Sequence, residues 1–344
     1  MYTKNLLKKL TSEIGISGYE YDFSCAVKKI LDEYCEKTIV EKSGNVKGFL
    51  APFDKTKKTV LLEAHLDRIG LVVSEVIENG FLKFRAMGGV DERILPASEV
   101  YVLGREVCYG VIGEVPPHIK GSNDSLSQAP KILDMLIDTG LSSEETKEKI
   151  SVGDPILLRA EFTELADGKV SSAALDNRAG MASVFECLER IKDKELPVNV
   201  CVAFTIGEEM GLLGARTLGF ENEIDLAVVI DVTHGKTHDS QSEGTFELGT
   251  GPIICRGPNL HYEKTNKIIA LAEEKEIPFE VEVAPDNTGT NAWALQTMEM
   301  GIPCALVSIP LRYMHTTVET VCIEDIKNTA RLLSEIVSGG DTVA

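Results

Sequence analysis

Two histidines and five carboxylates in this 344-residue chain stand where they could hold, support and use divalent metal ions. His65 and Asp67 close the segment AHLD at the end of the apolar run TVLLEAH. In an extended chain, positions i and i+2 face the same side. A carboxylate there can hold one ring nitrogen of a histidine while the other nitrogen binds a metal. Asp176 lies in SSAALDNRAG, just ahead of a helical pattern. Glu208 and Glu209 follow the run VCVAFTIG, Asp231 ends the strand candidate in LAVVIDVTH, and His315 follows CALVSIPLRYM. Each has a plainer reading when taken alone. His65 and His315 could be structural, Asp176 a helix cap, Asp231 a strand-end cap, and the Glu208–Glu209 pair a solvated loop. Adjacent carboxylates behind a buried strand are costly without compensating charge, and the glycines of GEEMGLLGA suit a tight turn around them.

Together they amount to more. Several separate strands each ending in a metal-competent residue is what a site at the carboxyl edge of an α/β sheet requires. Nitrogen and oxygen donors without sulfur suit zinc, cobalt or manganese. His65, Asp176, Glu209, Asp231 and His315 can serve two ions if one carboxylate bridges, which leaves Glu208 to take a proton. Two such ions activate a water and polarise a carbonyl. Glu208 would then pass the water's proton to a leaving amine. An ion that also holds a free α-amine would make the enzyme an exopeptidase.

The elements that must position these residues alternate. Helices are expected from Leu6, Leu7, Leu10 and Ile14 and over Tyr21–Tyr34, then strands at Gly48–Pro52 and Thr59–His65. From Ser171 the pattern gives helix Ala179–Ile191, strand Pro197–Thr205, a helix start near Gly211 and strand Leu226–Asp231. It continues with helix Lys264–Glu274, strand Phe279–Ala284, helix Asn291–Met300, strand Pro303–Ile309 and helix Ile323–Val337. This predicts an α/β fold, a helix-flanked and mostly parallel sheet. Residues 68–164 read differently. Short strand candidates such as FLKFRAM and YGVIGEV, separated by Gly, Pro and Asn, predict a β-rich insert with one helix near Lys131–Asp138. The expected domains are therefore 1–67 with 165–344, interrupted by 68–164.

Composition narrows the partners. A net charge of −19 repels phosphate backbones, which argues against nucleic acid. No apolar run approaches the ~20 residues of a bilayer span. The eight cysteines, Cys25, Cys35, Cys108, Cys187, Cys201, Cys255, Cys304 and Cys322, form no C-x-x-C pair and read as small buried apolar residues. With an amphipathic start in place of a signal peptide, the expected location is the cytoplasm.

The motif order HxD, LDNR, GEE, DVTH and RYMHT resembles the TET-type family of di-metal aminopeptidases, which includes glutamyl and deblocking aminopeptidases. The likeness extends to GGVDER at Gly88–Arg93, VPPH at Val115–His118 and IPLRYMHT at Ile309–Thr316, so it covers nearly the whole chain. The resemblance implies a di-zinc-peptidase type sheet and two divalent ions, Zn2+ or Co2+ with Mn2+ as another candidate. It implies one ion on His65 and Asp231, the other on Glu209 and His315, and Asp176 between them. It further implies Asp67 orienting His65, Glu208 as base and a cis peptide between Asp176 and Asn177. For partners it implies peptide substrates and a homo-oligomer, often a hollow dodecamer built from dimers through the insert. Two positions depart: Arg68 where many relatives have Glu, and Asn291, in GTNA, where many have Asp. Asn291 is expected to bear on the substrate pocket. His234 is a candidate to support Asp231, and His118, His238 and His261 read as surface or structural.

Three rival functions stand beside this one. A glycosidase also uses paired carboxylates, and some family members have carried an endoglucanase label. Such a site does not need two interleaved histidines, and Trp293 is the chain's single tryptophan. A non-catalytic assembly protein would not need Glu208 and a full ligand set. A deacylase of small amides could use the same site.

Overall fold

The structure, a computed structural model, describes residues 2–115, 130–220, 222–240 and 243–339. Eight strands form one sheet in the spatial order Lys37–Val40, Val46–Phe49, Asn199–Thr205, Thr59–His65, Leu226–His234, Cys304–Leu311, Ile253–Arg256 and Glu280–Val283. The four central strands run parallel. An antiparallel hairpin, Lys37–Val40 with Val46–Phe49, joins one side of this block, and Ile253–Arg256 is antiparallel on the other.

Both faces of the sheet are covered, which is why the central strands read as continuous apolar runs. Thr59–His65 is buried at every position. Helices Tyr2–Ser12, Tyr21–Leu31, Leu175–Ile191, Tyr262–Glu274 and Ile323–Ser338 pack one face through residues such as Leu7, Phe185, Ile268 and Leu333. The short helices Leu213–Thr217 and Asn291–Leu295 cover the other against Leu61, Val229 and Leu306. All eight cysteines are free, and six are buried.

Directly after Thr59–His65 the chain leaves the sheet and builds a closed six-stranded barrel. Around it run Gly70–Val76, Phe81–Met87, Leu136–Asp138, Val107–Gly113, Glu99–Leu103 and Pro155–Leu158. VCYGVIG alternates exposed and buried at every position, with Cys108 and Ile112 turned into a core that holds Phe84 and Ile156. Thr163–Glu164 belongs to a separate three-stranded sheet with Lys169–Ser172 and Glu319–Cys322.

Several boundaries differ from expectation. The helix expected at Lys131–Asp138 is a 3-10 turn, Ile132–Asp134, followed by the strand Leu136–Asp138. Its apolar residues mimic a helical stripe, yet pairing with two barrel strands decides the outcome. The helix of this region is Ser143–Lys149, started by a capping box between Ser142 and Glu145. Helix Asn291–Met300 stops at Leu295, the helix from Tyr21 stops at Leu31, and the strand expected at Gly48–Pro52 lies at Val46–Phe49. His118 falls outside the described residues. Among the described residues no helix is long and apolar enough to cross a membrane.

Candidate metal centre

Four central strands deliver the chemistry to one end of the sheet. His65 is the last residue of its strand, and Thr205 lies beside it in register. The chain turns after Thr205 and presents Glu208 and Glu209. Asp231 sits in the next strand opposite Ser308, and His315 follows the strand Cys304–Leu311. Asp176 comes from the irregular first turn of Leu175–Ile191, where the peptide joining Asp176 and Asn177 is cis.

Two triads result, one of His65, Asp176 and Asp231 and one of Asp176, Glu209 and His315. Within each, one donor atom per residue lies within 4.8 Å of the others. His65 Nε2 is 3.0 Å from Asp176 Oδ1 and 3.6 Å from Asp231 Oδ1. His315 Nε2 is 3.4 Å from Asp176 Oδ2 and 3.2 Å from Glu209 Oε2. Each oxygen of Asp176 therefore faces a different histidine. The helix-cap reading of Asp176 fails because Asn177 takes that task. Asn177 Oδ1 accepts the Gly180 N–H at 3.0 Å, and its amide donates to the Ile230 carbonyl at 2.8 Å.

Both rings are held from behind. His315 Nδ1 is 3.0 Å from the Gly89 carbonyl, which makes Nδ1 the protonated nitrogen and leaves Nε2 as donor to an ion. His65 Nδ1 lies 3.2 Å from the Asp67 carbonyl and 3.5 Å from its carboxylate. The Asp67 carboxylate has further partners. Its oxygens accept the N–H groups of Glu208, at 2.9 Å, and Glu209, at 3.2 Å, and the hydroxyl of Ser17, at 2.5 Å. Asp67 thus ties the His65 strand to the loop that carries both glutamates.

The electrostatics are those of crowded acids. Burial first, then Asp231, Asp176 and Glu209, pushes Glu208 up to about 9, with His65 opposing. Burial and Asp176 raise Glu209, and they raise Asp231 as well. Against the penalty of burial, Asp176 and Glu209 lift His315 to about 11. Against the same penalty, Glu208, Asp176 and Asp231 lift His65. Glu209 Oε1 is buried with no partner. Like charges packed this closely, with an orphaned carboxylate oxygen, fit cations. The donor set of nitrogens and oxygens fits two of them.

Several residues that serve the centre stood outside the expected set. The buried carboxylate of Glu319 accepts the N–H of His315 at 2.8 Å and of Asp176 at 3.2 Å. It thereby holds the residue shared by both triads and a second member of one, and it holds His315 at a φ of 62°, a conformation costly for a residue with a side chain. Burial raises Glu319 to about 8, and Arg68, itself buried, opposes that rise. Asn291 does not line the pocket; it is buried and donates to Glu63 Oε1 at 2.8 Å and Thr205 Oγ1 at 2.9 Å. His234 is exposed on the pocket wall, His238 is exposed elsewhere, and His261 caps Tyr262–Glu274. The cavity over both triads measures about 650 Å³ and also admits Glu208, Glu282 and Trp293.

The model of the M42 glutamyl aminopeptidase family matches residues 44–332. The chain is similar to a lysyl aminopeptidase of Pyrococcus furiosus, 31% identical over 96% of both chains. It is also similar in structure to an aminopeptidase of the archaeon Desulfurococcus kamchatkensis. That match has a TM-score of 0.90 at 31% identity and covers 98% of this chain and 94% of the other. The TET1 peptidase of Pyrococcus horikoshii, which can assemble into a tetrahedron or a large octahedral shell, matches with a TM-score of 0.86 at 29% identity. There the cover is 97% and 99%.

Proposed function

The chain belongs to the M42 glutamyl aminopeptidase family and is a metallo-aminopeptidase; from that premise we propose that it releases N-terminal residues from peptides at a centre of two divalent ions. The carrying observation is the pair of triads that share Asp176. One ion would rest on His65 and Asp231, the other on Glu209 and His315, with Asp176 on both. Zinc or cobalt suits these donors best, and manganese is a further candidate. Bound there, the ions supply Lewis acidity and a lowered pKa for water.

The chain's own residues do the rest. Glu208 belongs to neither triad and lines the cavity beside both. It takes the proton of the attacking water and returns it to the departing amine nitrogen. Asp67 fixes the backbone of Glu208, so the base keeps its place while the proton moves. A glycosidase is disfavoured because both histidines turn Nε2 onto carboxylates of a metal-type cluster. A deacylase would share every step and differ only in substrate.

The barrel within residues 68–164 is proposed to join subunits of a homo-oligomer, a dodecamer built from dimers in the fullest case. Its outer face carries Val107, Tyr109 and Val111 to solvent. A cytoplasmic site of action suits eight free cysteines. The test is a panel of aminoacyl-nitroanilides with ion-stripped protein. No hydrolysis is expected until Zn2+, Co2+ or Mn2+ is returned, and full activity in verified ion-free protein would overturn the proposal.

A further inference from the structure

We propose that Glu282 reads the side chain of the substrate's N-terminal residue and selects a basic one, lysine or arginine. The proposal rests on the aminopeptidase reading of the same cavity and adds the substrate class.

Glu282 lies on the edge strand Glu280–Val283, opposite Cys255, and its side chain enters the cavity that holds both triads. Thr233 Oγ1 donates to Glu282 Oε1 at 3.0 Å. Thr233 is two residues beyond Asp231 on one strand, which puts both side chains on one face about 7 Å apart along it. A substrate whose α-amine is held at the Asp231 end would have its side chain directed along this wall. The flexible four-carbon stem of lysine is suited to that span. Cys255, Ala284 and Leu306 give the stem apolar or small neighbours.

Charge points the same way. Asp176, Glu208, Glu209 and Asp231, once all are ionised, would carry four negative charges, which two divalent ions would match. Glu282 has no such counterpart. Among the described residues its side chain bonds Thr233, and no Lys or Arg stands among the groups acting on it. Burial raises its carboxyl, with Thr233 and His234 opposing, a penalty that an incoming ammonium or guanidinium would relieve. Arg216 also lines the cavity but is exposed, so water and salt screen it more strongly.

Calorimetric binding of L-lysine and L-norleucine to the ion-loaded protein tests the idea without needing turnover, because norleucine lacks the side-chain charge. Lysine should bind roughly ten-fold tighter, the scale of a charge-assisted hydrogen bond. Glu282→Gln should abolish the difference, and Glu282→Lys should turn the preference toward L-glutamate. Comparing two ligands on one sample makes the result independent of the folded fraction. Equal binding of lysine and norleucine by the natural protein, or a lysine preference that survives Glu282→Gln, would overturn the proposal. Lysyl- and leucyl-nitroanilide hydrolysis run in parallel separates the two readings. Failure to cleave these or any other member of the aminoacyl-nitroanilide panel would sink the peptidase reading, while the binding ratio still decides the role of Glu282.

Discussion

Gly89→Ala should weaken one ion site and spare the other. A Cβ on Gly89 would stand 2.7 Å from His315 Nδ1 and 3.0 Å from its Cε1, where ordinary contacts begin near 3.4 Å. The Gly89 backbone needs no left-handed φ, so the added methyl acts through this clash rather than through the backbone. The backbone of His315 is poorly able to yield, because Glu319 holds its N–H and its φ is already 62°. The ring must therefore withdraw by about 0.7 Å, well beyond the ~0.2 Å tolerance of a metal–ligand distance. It also loses the bond from Nδ1 to the Gly89 carbonyl. Losing such support costs about 10–100-fold in metal affinity, or about 1.4–2.7 kcal/mol. The triad of His65, Asp176 and Asp231 touches neither Gly89 nor His315 Nδ1 and should keep its affinity. Calorimetric titration of ion-free protein with Zn2+ should show one unchanged step and one weakened step. Urea unfolding of the ion-free variant should stay within about 0.5 kcal/mol of the natural chain, as for a change outside the core. Two unchanged binding steps in the folded variant would refute the reasoning, because the Gly89–His315 contact would then not constrain the ligand.

Three other outcomes are expected. Glu208→Gln keeps the shape of the side chain but cannot accept a proton, so kcat should fall about 10²–10⁴-fold with both ions still bound by elemental analysis; near-normal kcat would place the base elsewhere. Asn291→Asp removes the amide that donates to Glu63 and Thr205 and sets a second carboxyl against Glu63, which is fully buried and already raised to about 7 chiefly by that burial. A loss of about 1–3 kcal/mol in urea unfolding is expected, with Glu63→Gln restoring part of it, and unchanged stability would refute the account. Light scattering at micromolar protein should give an oligomer mass; a monomer at every metal concentration would refute assembly, and a stable dimer would refute only the dodecamer.

The residues of the two triads could be picked out from the sequence because most are tied to a buried element that announces itself. Thr59–His65 and Leu226–His234 are long apolar runs, and the end of such a run is where a polar residue must find a purpose. What stayed hidden depends on contacts that neither residue type nor spacing encodes. Glu319 acts on two backbone N–H groups from 143 and 4 residues away, and nothing in ETVC marks it. Gly89 works through its carbonyl and its missing Cβ. Glu282 lies on an edge strand whose alternation of Glu and Val reads as a solvated face, and Thr233 alone reveals its direction. The barrel's short strand Leu136–Asp138 was hidden for a different reason, since three residues are too few for periodicity to outvote the turn before them.

The two departures from the family pattern have a common physical sense. Glu63, Asp67, Asp176, Glu208, Glu209, Asp231 and Glu319 crowd acid charge around the centre, and burial opposes ionisation in each of them. Where many relatives would add Glu, this chain has Arg68, whose buried guanidinium is acted on by Glu319 and Glu209. Where many would add Asp, it has Asn291, whose amide donates to Glu63. The first replacement changes the local charge by two units and the second by one, both toward positive. The Asn291 amide answers an acid within the chain itself. At Arg68 the cation faces Glu319, the carboxylate that positions both His315 and Asp176. Arg68 therefore acts on Glu319 by opposing the rise that burial and Asp176 impose on it, which favours the ionised, accepting form. In that form both oxygens can take the backbone N–H bonds that hold His315 and the shared Asp176.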